Sequence, residues 1–220
     1  MSSEGQRFAD REDAGCRLAE LLQSTRERNP LVLGIARGGV PVAAQVARAL
    51  AAPLDVIVVR KIGAPTNPEY GVGALAEGGV RVLSEHALQS LRIDSQTLAR
   101  ITERAERELA GRLSIYRAGR PLISPRGRAT ILIDDGLATG HTAKAAARAV
   151  RARGATCVIV AVPVASPMSL AELGEEVDEI ICVHAPSDLR AIGNSYEDFT
   201  ATSDEEILAQ LSSARRPSDR

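Results

Sequence analysis

Apolar runs that alternate with helical patterns predict an α/β fold, with a mainly parallel sheet flanked by helices. Three observations carry this expectation. The 220 residues are 45% hydrophobic but only 2% aromatic, so the core must be built of Ala, Val, Ile and Leu. Several short β-branched runs, Leu31–Ile35 first among them, are apolar throughout rather than alternating, as strands covered on both faces are. Most are followed by a turn rich in Gly or Pro and then by residues with helical spacing. The length suits one ordinary domain, or one domain with a small appendage.

The elements follow in order. Asp10 can cap a first helix with Asp13 three residues on, and Leu18, Leu21 and Leu22 supply its apolar face. After strand Leu31–Ile35 and the turn Ala36-Arg37-Gly38-Gly39, Pro41 pre-sets the first turn of a helix running to about Leu50. Asp55–Val59 is a second strand ending in Arg60-Lys61. Beyond the Gly- and Pro-rich residues 63–73, strands near Gly73–Glu77 and Val80–Leu83 flank a Gly78-Gly79 hairpin turn. Leu98, Ile101, Ala105, Leu109, Leu113 and Tyr116 fall three or four apart and predict a long helix over 95–118, lying on the sheet or at a subunit contact. Strand Thr130–Ile133, a helix from Thr142 to Arg153 stopped by Gly154, strand Cys157–Val162, a helix near Ser169–Leu173, strand Glu179–Val183 and a helix from about Asp204 complete the order. The end of the chain, residues 213–220, reads as a disordered tail.

Composition excludes several functions. With 27 Lys and Arg against 28 Asp and Glu, the chain lacks the basic excess of a general nucleic-acid binder. Its five rings, Phe8, Tyr70, Tyr116, Tyr196 and Phe199, are too few for a base-stacking platform. Cys16, Cys157 and Cys182 form no CxxC and no Cys/His cluster, so neither a disulfide framework nor a zinc site is expected. The polar amino terminus has no signal-peptide core and no apolar run reaches membrane-spanning length, so a soluble cytoplasmic protein is expected.

One segment carries chemistry. Residues 130–142 run from a strand through Asp134-Asp135-Gly136 and Ala138-Thr139-Gly140-His141-Thr142 into an Ala-rich helix. Parallel sheets bind ligands at the carboxyl ends of their strands. Amides at a helix start, with Gly136 and Gly140 permitting close approach, can cradle a phosphate. Adjacent carboxylates would repel a lone phosphate, but they suit sugar hydroxyls, a hard cation such as Mg²⁺, or both. An acidic strand end before a capped helix is the equally ordinary structural reading. The segment is neither a Walker A loop nor a GxGxxG fingerprint.

This segment resembles the phosphoribosyl-diphosphate (PRPP) motif of type I phosphoribosyltransferases. The stretches Phe8-Ala-Asp-Arg11-Glu-Asp-Ala-Gly15, Gly34-Ile-Ala-Arg37-Gly38-Gly39-Val-Pro41, Arg60-Lys61-Ile-Gly-Ala-Pro65-Thr-Asn67-Pro68-Glu69 and Tyr196-Glu-Asp198-Phe199 extend the likeness to one bacterial branch of that family, over residues 7–208. The resemblance implies a Rossmann-like core, a helical insertion at about 84–127, and a small hood built with the termini, at about 184–203. It implies transfer of the 5-phosphoribosyl group of PRPP to a small-molecule acceptor with release of pyrophosphate, assisted by Mg²⁺, in a homodimer. Its alternative is a regulatory protein that binds PRPP or a nucleotide without turnover.

Carried over residue by residue, Ala138, Thr139, Gly140, His141 and Thr142 would bind the 5-phosphate. Asp134 and Asp135 would contact the ribose hydroxyls, directly or through the metal. Ala36, Arg37, Gly38 and Gly39, with Lys61, would bind pyrophosphate, across a strained or cis peptide placed at Arg37–Gly38. Asp134, Asp135, Arg37 and Lys61 are thus the expected catalytic residues. Arginines near 117–128 would close over the diphosphate. Glu69, Tyr70, Tyr196 and Phe199 are the candidates to face the acceptor. His141 either touches the ligand or is a solvated residue at the helix start. Ala138 stands where the family's 6-oxopurine enzymes carry an acidic general base.

Overall fold

The computed structural model describes residues 7–68 and 70–214. A five-stranded parallel sheet lies at its centre. It is formed by β1 (Leu31–Ile35), β2 (Leu54–Ile57), β6 (Ala129–Ile133), β7 (Cys157–Val164) and β8 (Glu179–His184), in the order β2-β1-β6-β7-β8. Adjacent strands are in register, for example Val32 with both Leu54 and Ile131, and Leu132 with Val160. β1 and β6 are buried at every position, the consequence of helices on both faces.

The strands' alternation divides their side chains between two cores. Val32, Val56, Ile131 and Ile133 pack with α1 (Arg11–Leu21), α2 (Gly39–Leu50) and α7 (Asp204–Ser213). Leu31, Leu33, Leu132, Val158 and Val160 pack with α5 (His141–Ala152). The inward face of α5 is made of Ala143, Ala145, Ala146, Ala147 and Ala149, all fully buried. Methyl groups of that size let the helix lie close between the parallel sheet and a second, smaller one. α6 (Pro167–Gly174) continues the layer.

The second sheet is antiparallel: β3 (Val59–Gly63), β4 (Gly71–Ala76) and β5 (Val80–Leu83), in that order. The single strand expected over Asp55–Val59 divides here at Val58. The Val58 amide donates to the Glu77 carboxylate, and its carbonyl accepts from the Glu77 amide, so the chain leaves one sheet and enters the other. Gly78 and Gly79 make the expected hairpin with φ of +91° and +80°. A short helix, α3 (Glu85–Ser90), lies beyond the sequence reading; Ser84 caps it. The long helix α4 (Ser95–Arg117) follows as expected, capped by Asp94, and packs on β3, β4 and α7.

Buried ion pairs join the two sheets. Arg117, at the end of α4, holds Asp55 of β2 at 2.8 Å and Glu77 at 2.8 Å, and also donates to the Val56 carbonyl. Asp55 further accepts from the Val56 and Ile123 amides. All three side chains are nearly enclosed, so each charge depends on its partners.

In α1, Leu18 and Leu22 are buried as expected, but Leu21 is 51% exposed. The helical rotation that buries its neighbours turns it outward. The amino-terminal segment then meets the hood. Phe8 bridges to Tyr196, and Phe8, Ala14, Val164 and Tyr196 form a third small core with Leu189, Ile192 and Phe199 against it. Of the tail expected at 213–220, Ser213 closes α7 and Ala214 is its cap; residues 215–220 lie outside the described residues. No described helix is long and apolar enough to cross a membrane.

Candidate phosphate and ribose site

β1 and β6 are adjacent, with Gly34 opposite Ile133, so the turns that leave their carboxyl ends meet. The fit is close. A Cβ on Gly38 would lie 1.9 Å from an Asp135 carboxylate oxygen, and one on Gly39 would lie 2.2 Å from the Ile133 carbonyl oxygen. Only glycine allows Ala36-Arg37-Gly38-Gly39 to seat on the acid pair. The peptide between Ala36 and Arg37 is cis, one bond before the expected Arg37–Gly38 position. Arg37 itself is exposed at the rim.

The loop after β6 is held from beneath. The Leu137 amide donates to the Val164 carbonyl, the Ser166 amide donates to the Leu137 carbonyl, and the Ser169 hydroxyl donates to the Ala138 carbonyl at 2.6 Å. Gly140 takes φ +70° and starts α5. Ala138 and Thr139 are exposed, and Gly140, His141 and Thr142 partly so. The first turn of a helix leaves its amides without intrahelical partners. The five residues expected to bind the 5-phosphate are thus all accessible, at or just before the amino terminus of α5.

The acid pair is only partly exposed and electrostatically tense. Burial, and then the charge of Asp135, push the Asp134 carboxyl well above its usual range. Burial also raises Asp135, against the opposing pull of Arg11. The Asp134 carboxylate accepts from the Asp135 amide at 3.0 Å.

Arg11, which the sequence pattern does not single out as a site residue, also reaches the acid pair. Its Nε and Nη2 both donate to one Asp135 oxygen, at 2.9 and 2.8 Å, and its Nη1 donates to the Thr200 carbonyl. The guanidinium lies 4.0 Å over the Phe199 ring. A cation in the first turn of a helix opposes the helix dipole. An arginine directly after the Asp10 cap was therefore a legible sign of a tertiary partner.

Of the rings expected to face the acceptor, Tyr196 is buried. It is 1% exposed, its ring packs between Phe8 and Phe199, and its hydroxyl donates to the Asp135 carbonyl at 2.7 Å. Burial raises its phenol strongly. Phe199 backs Arg11. Both support the acid loop from the hood rather than lining an open acceptor face. Tyr70, 47% exposed, closes a turn in the β3–β4 loop, its amide donating to the Asn67 carbonyl. Glu69 lies outside the described residues. Lys61 is exposed on β3, with its stem against Gly71. Arg117, expected among the arginines that close over the ligand, is held in the buried ion pairs described above.

His141 is not a solvated helix-start residue. It is half-buried, and its Nδ1 is enclosed without a hydrogen-bond partner. Burial lowers its pKa, Lys144 and Lys61 add to the effect, and Glu172 opposes it. Among the described residues, no three His, Cys, Asp or Glu side chains gather into a metal site. The two carboxylates nonetheless fit a hard cation that shares its coordination with a substrate's oxygens.

A parallel sheet with a glycine turn, an acid pair and a helix amino terminus at the carboxyl ends of its central strands has the layout of a ligand-binding α/β protein. The chain belongs to the phosphoribosyl transferase domain family, whose model matches residues 9–195. It is 43% identical over 209 residues to a Mycobacterium tuberculosis H37Rv protein that bears a provisional phosphoribosyl transferase name; the match covers 95% of this chain and 47% of that protein. The chain thus spans about half the length of the curated relatives it matches. Among solved structures, TT1426 from Thermus thermophilus is 44% identical with a TM-score of 0.78, over 93% of this chain and 97% of that one. The AQ2163 protein from Aquifex aeolicus shares the fold at 14% identity, with a TM-score of 0.52 over 83% of this chain and 76% of that one.

Proposed function

We propose that the chain transfers the 5-phosphoribosyl group of PRPP to a small-molecule acceptor, releasing pyrophosphate. The observation that carries this reading is the seating of the Gly38-Gly39 turn on Asp135, directly beside the 138–142 nest. On this reading the 36–39 turn takes the leaving group, the acid pair the ribose hydroxyls and the 138–142 loop the 5-phosphate. Amides of residues 138–142 hold the 5-phosphate. Arg37 and Lys61 neutralise the pyrophosphate as the C1–O bond lengthens and the ribose gains oxocarbenium character. Asp134 and Asp135 hold the ribose hydroxyls, with Arg11 fixing the rotamer of Asp135 and thus the position of the sugar.

Mg²⁺ fits this donor set, held by Asp134 and Asp135 together with oxygens of PRPP, and when bound it supplies positive charge to the diphosphate. An exposed Ala138 leaves this position without the carboxylate that a 6-oxopurine enzyme carries there. Pyrophosphate release from PRPP, assayed against a panel of nucleobases, amines and carboxylic acids, tests the proposal. Release with one acceptor class supports it. Binding of PRPP without release across the panel favours the regulatory reading.

A further inference from the structure

A second cavity lies away from the nest, between β3 with its following loop and the middle of α4. It encloses about 570 Å³, and its charged lining is Arg60, Lys61, Arg100, Arg104, Arg107 and Glu108. No residue of the 36–39 turn, the acid pair or the nest lines it, and Lys61 is the one lining residue also assigned to the pyrophosphate of PRPP. The two sites take opposite faces of the small sheet: α5 packs on Val59, Ala74 and Ala76, whereas Ile62 joins Ala105 and Leu109 of α4.

The charge in this cavity is organised. Arg100, Arg104 and Arg107 are spaced i, i+4, i+7, which puts three guanidiniums on one face of α4. Among the described residues of the lining, Glu108 is the lone carboxylate, and it is already engaged by Arg104 at 3.0 Å and by Arg60. Among the described lining residues five cations face one anion, with Arg107 also paired to Glu103 of its own helix at 2.9 Å. Arg60 adds a buried Nε with no hydrogen-bond partner, a donor that folding has desolvated without satisfying. Pro65, Pro68, Ile101 and Ala105 give the cavity an apolar floor. Clustered guanidiniums favour bidentate contact with phosphate oxygens, and the volume falls in the small-molecule range.

We propose that this cleft is a second binding site, separate from the donor nest, for a small ligand bearing a di- or triphosphate group. The apolar floor takes the uncharged part, while Arg60, Arg100, Arg104 and Arg107 take the phosphates. The proposal does not depend on PRPP being the donor.

The test is calorimetric titration of inorganic tripolyphosphate and, separately, of GTP into the whole chain. Wild type is compared with Arg100→Glu/Arg104→Glu, and with the milder Arg100→Gln/Arg107→Gln should the first pair lower Tm. The expected result is at least a tenfold loss of affinity for these probes in the arginine variants, with PRPP affinity unchanged. Comparable binding of both probes identifies the phosphate chain as the recognised group; tenfold tighter GTP assigns the floor to a nucleoside. Probe affinities that do not change in the variants overturn the proposal. So does a parallel loss of PRPP and probe binding, which would merge the cleft with the donor site. Failure of PRPP to bind wild type, with arginine-dependent probe binding intact, would count against the donor reading alone.

Discussion

Asp135 is the residue on which the site converges. It meets the Gly38 turn, Arg11 clamps its carboxylate, and Tyr196 holds its carbonyl. Asp135→Asn retains the shape and halves the acceptor capacity. We expect PRPP affinity to fall at least tenfold with little change in circular dichroism or Tm; unchanged affinity would remove the role given to the pair. Asp134 gives a prediction of opposite character. Its carboxyl is raised in the folded state by burial and by Asp135, so between the unfolded value near 3.8 and the raised folded value the unfolded chain loses its proton first. Stability from this group therefore declines as pH rises through that window. Asp134→Asn should unfold at a temperature roughly 2–4 °C above wild type near pH 7 for each ~1 kcal/mol of relief, with the gap closing below about pH 3.8. A gap independent of pH in thermal melts would refute that origin. Such a gain in stability alongside a loss of binding is what a functional carboxylate pair should show.

At the scale of elements, the turns and the helix ends decide where the site forms. Gly39 seats directly under the Ile133 carbonyl, and backbone cannot yield as a flexible side chain can. Gly39→Ala should lower the denaturation midpoint and weaken PRPP binding. Gly111, exposed in the interior of α4 with open space where a Cβ would stand, provides the control. Gly111→Ala should raise stability by about 0.5–1 kcal/mol through helix propensity alone. Arg117 tests the joint between the sheets. Among the described residues, removing it leaves Asp55 without a cation and Glu77 with only the longer Arg153 pair, so Arg117→Ala should cost about 3–5 kcal/mol in urea unfolding. A cost below about 1 kcal/mol would show the network to be dispensable.

Across the whole molecule, the parts legible in the sequence are those that depend on local pattern. Strands read as unbroken apolar runs, the Gly78-Gly79 hairpin and the heptad-like spacing of α4 all appear where expected, because period and turn chemistry are properties of a few consecutive residues. Val58 shows where this stops: the run from Asp55 to Val59 has the composition of one strand, and only the distant Glu77 divides it. Arg11, Tyr196 and Phe199 show it for the site. Tyr196 and Phe199 are aromatic residues near the expected acceptor side, but the amino-terminal segment at Phe8 draws them into a small core that supports Asp135. The phosphate loop and acid pair were readable since their chemistry lies within residues 134–142, whereas the clamp on Asp135 comes from 124 positions away. We propose that these groups together form a PRPP site. Calorimetric titration of PRPP into the chain, with and without Mg²⁺, tests it most directly. Saturable one-to-one binding, tighter with Mg²⁺ and weakened at least tenfold in Asp135→Asn, is expected; no binding of PRPP at millimolar concentration would contradict it.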